Sequence, residues 1–131
     1  MKREELERYL RQARHTLESG QRDAEEGDHD WACFKAQQAA ELALKGWLRA
    51  SGLWVTGHSV LALLERMREF ERVPEEILDC ARELDKVYVP SRYPDVYDWG
   101  APVDYYSRKD ADYHLDCAAR ILEFVERLRN P

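Results

Sequence analysis

The run from Asp30 to Ser51, DWACFKAQQAAELALKGWLRAS, constrains the fold more than any other stretch, because it is apolar over more than half the circumference of a helix. At about 100° per residue, Ala32, Ala36, Ala39, Ala40, Ala43, Leu44 and Trp47 form one broad face. Lys35, Gln37, Gln38, Glu41, Lys45 and Arg49 form the other. A helix with so wide an apolar face needs other helices around it, so the run predicts the central member of an all-α fold. Phe34 and Leu42 interrupt the polar face and predict association with another surface. Gln37, Gln38, Glu41 and Lys45 read as a polar ladder on a solvated face or at a dimer rim, the alternative being a ligand site, with Glu41 and Lys45 in the favourable i, i+4 order.

The flanking segments supply the neighbours. From Arg3 to about Glu26, Leu6, Leu10, Ala13, Leu17 and Ala24 recur at helical spacing among Arg and Glu. Gly27-Asp28-His29-Asp30 breaks that helix, and Asp30 is the expected N-cap of the central one. Ser51-Gly52 ends the central helix. Ser59 is the expected cap of a third helix carrying Val60, Leu61, Leu63, Leu64, Met67 and Phe70 inward. Pro74, Glu75 and Glu76 suit the first turn of a fourth, with Ile77, Leu78, Ala81, Leu84 and Val87 on its apolar side.

Periodicity vanishes from Tyr88 to Tyr106, where VPSRYPDVYDWGAPVDYY concentrates prolines and most of the chain's seven tyrosines. Long loops inside compact domains are functional or disordered. The aromatics predict an ordered one, since Tyr and Trp dock large apolar faces while their polar tips stay wet. Ser107 with Asp110 approaches a capping box, and Ala111, Leu115, Ala118, Ile121, Leu122, Val125 and Leu128 define a last helix. The sequence shows no strand pattern and no repeat.

At 131 residues the chain reads as one domain over 1–131. Its formal net charge of −6 argues against broad phosphate-neutralising binding to nucleic acid. Cys33, Cys80 and Cys117 lack zinc spacing and read as reduced, partly buried residues. No apolar run has the length of a signal peptide core or a membrane helix, so a cytoplasmic protein without membrane insertion is expected. With no P-loop, Rossmann glycine pattern or metal-ligand cluster, neither a cofactor nor a metal is expected.

The order aromatic, small, AQQAAELALK, then an aromatic/Leu pair resembles the second helix of HEPN domains (higher eukaryotes and prokaryotes nucleotide-binding). The likeness extends through Gly57-His58-Ser59, a fourth helix running into Tyr88, the SRYPD of Ser91 to Asp95, and a final helix ending ILEFVERL. It implies an up-and-down four-helix bundle with an additional short helix and a long aromatic loop before the last helix. It also implies a homodimer partnered by a separately encoded minimal nucleotidyltransferase, in a toxin–antitoxin-type pair. Alternatives are a metal-independent ribonuclease toxin and a structural oligomerisation module without ligand.

Many members of the family cleave RNA with an Arg, four to six residues, then a His. Arg stabilises phosphate charge, and a His moves protons at the 2′-hydroxyl and the leaving oxygen. Arg108-KDADY-His114 has that spacing near the start of the last helix, as does Arg22-DAEEGD-His29. His114 falls on the apolar face with Arg108 about 120° away around the helix. Lys109 and Tyr113 depart from the family's usual neighbours. A separate candidate is a nucleotide site of Tyr88, Arg92 and Tyr93, with phosphate on the guanidinium and a base on a ring. The alternative there is that Arg92 pairs with Asp95 or Asp98. His58 beside Ser59 reads as a capping and packing residue rather than a general base, since no third triad member accompanies it.

Overall fold

The computed structural model describes residues 1–129, and all their regular structure is helical. Helices α1 (Arg3–Glu25), α2 (His29–Ala50), α3 (Val60–Met67) and α4 (Glu75–Lys86) follow one another. The aromatic loop comes next and includes a 3-10 turn at Pro94–Val96 and a one-turn helix, α5 (Pro102–Tyr105). The last helix, α6, spans Arg108–Arg129.

The central run is the hub: α2 packs along α1 and α6 and also touches α3, α4 and α5. The reason is its alanines. Ala32, Ala36, Ala39, Ala40 and Ala43 are fully buried, and their small side chains let neighbouring helices approach closely. Gly46 takes this furthest, because a Cβ there would collide with Tyr9 on α1. Leu6, Leu10, Leu44, Leu48, Leu64, Met67, Leu84 and Ile121 fill the space between.

Several ends form as the sequence predicts. The Ser59 hydroxyl accepts from Ala62 N at 3.0 Å, and Ser107 and Asp110 cap each other: Ser107 N donates to Asp110 Oδ2 at 2.9 Å, and Asp110 N to Ser107 Oγ at 3.3 Å. Others differ. The central helix begins at His29 rather than after Asp30, with Asp28 at the cap position and no side-chain capping bond. The turn itself accounts for this: Gly27 takes φ +90°, and Asp28 N donates back to Asp23 O at 2.8 Å, so α1 is closed and the chain re-enters a helix at once. Phe70 lies beyond the end of α3 and is 54% exposed, with the Arg66 guanidinium 5.8 Å from its ring centroid. Among the described residues no helix is long and apolar enough to cross a membrane.

Candidate functional site

The largest departure from the sequence reading is the polar ladder of α2. Gln37 is fully buried and Glu41 is 6% exposed, so this face is covered rather than solvated. The N-terminal end of α3 covers it. There Ser59 Oγ donates to Asp85 Oδ2 at 2.7 Å, and Val60 N and Leu61 N donate to the same carboxylate at 2.7 and 3.0 Å, pinning α3 to α4. His58, the preceding residue, is thereby set over α2. Gln37 Nε2 donates to its carbonyl at 2.7 Å, and its Nδ1 lies 3.2 and 3.3 Å from the two Glu41 oxygens.

A carboxylate removed from water needs donors, and Glu41 has them. Besides the His58 ring, Lys45 Nζ donates at 3.1 Å, Gln37 Nε2 at 3.4 Å and Gln38 Nε2 at 3.5 Å. Since a carboxylate only accepts, Nδ1 of His58 carries the hydrogen and Nε2 is the ring's remaining acceptor. The His58 side chain is nevertheless 59% exposed. One edge of the ring is anchored in the bundle while much of it faces water.

The same ring stacks on Tyr88, with centroids 5.2 Å apart and planes at 19°. Tyr88 joins this network to the aromatic loop. The Arg92 guanidinium lies 4.7 Å from the Tyr88 centroid, 4.2 Å from Phe34 and 4.9 Å from Tyr93, while its Nε donates to the Tyr88 carbonyl at 3.0 Å. The structure therefore brings Tyr88, Arg92 and Tyr93 together and adds Phe34 and His58. Pairing of Arg92 with Asp95 or Asp98 does not occur: no carboxylate of the described residues lies within 4.0 Å of it. Phe34 is thus partly occupied by this contact, and Leu42 packs at the edge of the core. Aromatic faces attract a cation without neutralising it, so the terminal nitrogens of Arg92 keep their capacity for an anion.

The second half of the loop is fixed by its own tyrosines. Tyr97 and Tyr105 stack at 4.0 Å, Tyr105 Oη donates to the Trp99 carbonyl at 2.7 Å, and Tyr97 Oη donates to Tyr106 Oη at 3.4 Å. The expected ordering by aromatics is what holds this segment.

Arg108 and His114 stand differently. Arg108 is an exposed residue at the start of α6 whose Nε donates to Asp112 Oδ1 at 2.9 Å. His114 is 7% exposed, and its Nδ1 donates to the Asp110 carbonyl at 2.7 Å with Cys33 Sγ 3.8 Å away. Burial pushes the Cys33 thiol up to about 12, with Asp110 and Asp30 adding to the effect, so it is neutral near pH 7 and no nucleophile. Burial likewise raises the Tyr106 hydroxyl. In the other Arg–His match, Arg22 lies in the last turn of α1, and the Nδ1 of His29 is buried without a partner. Among the described residues no cluster of metal-ligating side chains occurs.

Sequence reasoning passed over the joining of His58 to Glu41. One signal existed: on the α2 wheel Leu48 falls between Gln37 and Glu41, about 20° from each, so an apolar side chain interrupts the polar face there. That placement predicts cover by a neighbouring element.

The helical order, the hub and the aromatic loop match a known family. The HEPN domain model fits residues 6–128, and the chain belongs to the HEPN family. The structure of TT1696 from Thermus thermophilus is 46% identical, with a TM-score of 0.91 over 97% of this chain and 98% of that one. ST0689, an archaeal HEPN homologue, is 42% identical with a TM-score of 0.81, covering 95% and 98%. A HEPN domain protein of Thermotoga maritima, tm0613, is 36% identical with a TM-score of 0.77, covering 92% and 96%. Human sacsin is 28% identical across an alignment 131 positions long that covers 93% of this chain but 3% of sacsin's length.

Proposed function

We propose that this HEPN protein is a homodimer that binds a nucleotide and works with a separately encoded minimal nucleotidyltransferase in a toxin–antitoxin-type pair. One observation carries the nucleotide reading: Arg92 is held among Phe34, Tyr88 and Tyr93 with no carboxylate partner. A phosphate suits its terminal nitrogens, and the 46%-exposed Tyr93 offers a face for a base. Association is supported by Trp31, Trp54, Trp99 and Val103, large apolar side chains left exposed on α2 and the loops.

Calorimetric titration with adenine and guanine nucleotides tests the binding. Wild type is expected to saturate and Arg92→Ala to bind at least tenfold more weakly, a loss of about 1.4 kcal/mol. No saturation by wild type at millimolar nucleotide removes the reading. Co-expression with a neighbouring nucleotidyltransferase gene, followed by light scattering, tests the assembly. A monomer that retains no such partner is the contrary result.

A second reading, a ribonuclease using Arg108 and His114 with two protomers sharing a site, is favoured by the tautomer of His114. Its Nδ1–H is committed to the Asp110 carbonyl, so Nε2 carries the basic lone pair. Arg108 has then to exchange Asp112 for a phosphate. Expression of wild type beside His114→Ala decides this, and intact RNA in both sinks it.

A further inference from the structure

We infer that His58 and Arg92 form a two-armed receptor for the diphosphate of a nucleotide, in which Glu41 and Gln37 are positioning residues. This rests on the reading of Arg92 as a nucleotide contact and adds the class of ligand.

Both arms sit on one ring, His58 at 5.2 Å and Arg92 at 4.7 Å from the Tyr88 centroid. Capping does not explain how His58 is held, because Ser59 and Asp85 already satisfy the N-terminus of α3. His58 is instead fixed twice by α2, through its carbonyl by Gln37 and through Nδ1 by Glu41. Burying an amide and a carboxylate is unfavourable compared with apolar residues of similar volume. What these two buried groups accomplish is the orientation of a ring that remains largely exposed.

Orientation of this kind has a chemical consequence. With Nδ1–H committed to Glu41, the outward nitrogen is Nε2, which accepts when the ring is neutral and donates when it is protonated. A phosphate favours the protonated form, giving a charge-assisted N–H to oxygen bond beside that of Arg92. The charged and titratable groups facing the ring are Glu41 and Lys45 from α2, Tyr88 and Arg92 from the loop, and Asp85 from α4 acting through Ser59. Lys45 neutralises Glu41, and Asp85 is committed to the α3 amides. The ring and Arg92 are therefore the groups left to meet two phosphates, one on each arm.

Calorimetry of the full chain with ADP, AMP and adenosine at pH 6 and pH 8 tests this. Wild type is expected to bind ADP at least tenfold more tightly than AMP, with the preference larger at pH 6. His58→Ala should weaken ADP more than AMP, bring the two affinities within twofold of each other, and abolish the pH dependence of the ADP preference. Glu41→Gln should reduce the preference and its pH dependence. His58→Gln serves if the alanine variant melts early, and it too must lose the pH dependence. An ADP preference unchanged in the His58 variants overturns the inference. Equal binding of AMP and ADP by wild type, both lost in Arg92→Ala, overturns it while leaving the nucleotide reading intact. If wild type binds neither, both fall.

Discussion

Arg108 and His114 share one helix, whereas Arg92 and His58 come from different elements, and the two arrangements leave their cations in opposite states. On the exposed start of α6, Arg108 meets Asp112 one turn on, the ordinary fate of an arginine on a solvated helix. In the loop, Arg92 meets aromatic faces and a carbonyl, which hold it without cancelling its charge. The histidines invert this: His114 is buried, while His58 is anchored at one nitrogen and exposed elsewhere. A motif spacing along a helix thus says little about which charges are free. Enclosure by other elements decides it.

Glu41→Ala should break the contrast most severely. Removing a buried carboxylate leaves Lys45, Gln37 and His58 without their partner and should cost about 3 kcal/mol, read as a lowered denaturation midpoint with unchanged m-value. The corresponding loss at the other pair, Asp112→Ala, touches a bridge whose side chains are each 58% exposed, and should cost under about 1 kcal/mol. Equal costs would erase the distinction between the two neighbourhoods.

His114→Ala should come between them at about 2 kcal/mol, from a lost buried hydrogen bond and the space left behind. His58→Ala should cost less than His114→Ala by the same denaturation measurement.

An effect absent at neutral pH concerns Cys33 beside His114. Its folded thiol titrates near 12 against an ordinary 9.0. Below pH 9 both folded and unfolded thiols are protonated and nothing is lost. As pH rises from about 9 to 12 only the unfolded thiol ionises, so stability should fall in wild type and fall less in Cys33→Ala. Alkylation at pH 8 should be slow until denaturant is added, and rapid labelling of the native protein contradicts the sealed position of this thiol.

Much of this architecture was legible in residue order. The alanine-rich face of α2, the cap at Ser59, the box at Ser107 and Asp110, and the aromatic ordering of the loop all follow from local spacing and side-chain chemistry. Gathering of Tyr88, Arg92 and Tyr93 was also in reach, because they are near neighbours along the chain. Local pattern failed where a partner comes from elsewhere. Phe70 continues the period of α3 after the helix has stopped, and Gln37 and Glu41 look like a wet face until α3 is laid over them.

The sequence by itself determined the helices, the hub, the family and the candidate residues, since apolar periodicity and capping act over a few residues. Only the tertiary structure decided that Glu41 is covered, that His58 is its outlet to the surface, and that Arg92 shares Tyr88 with that ring. Burial and charge pairing depend on which distant segments exclude water from a group, and no local spacing records that.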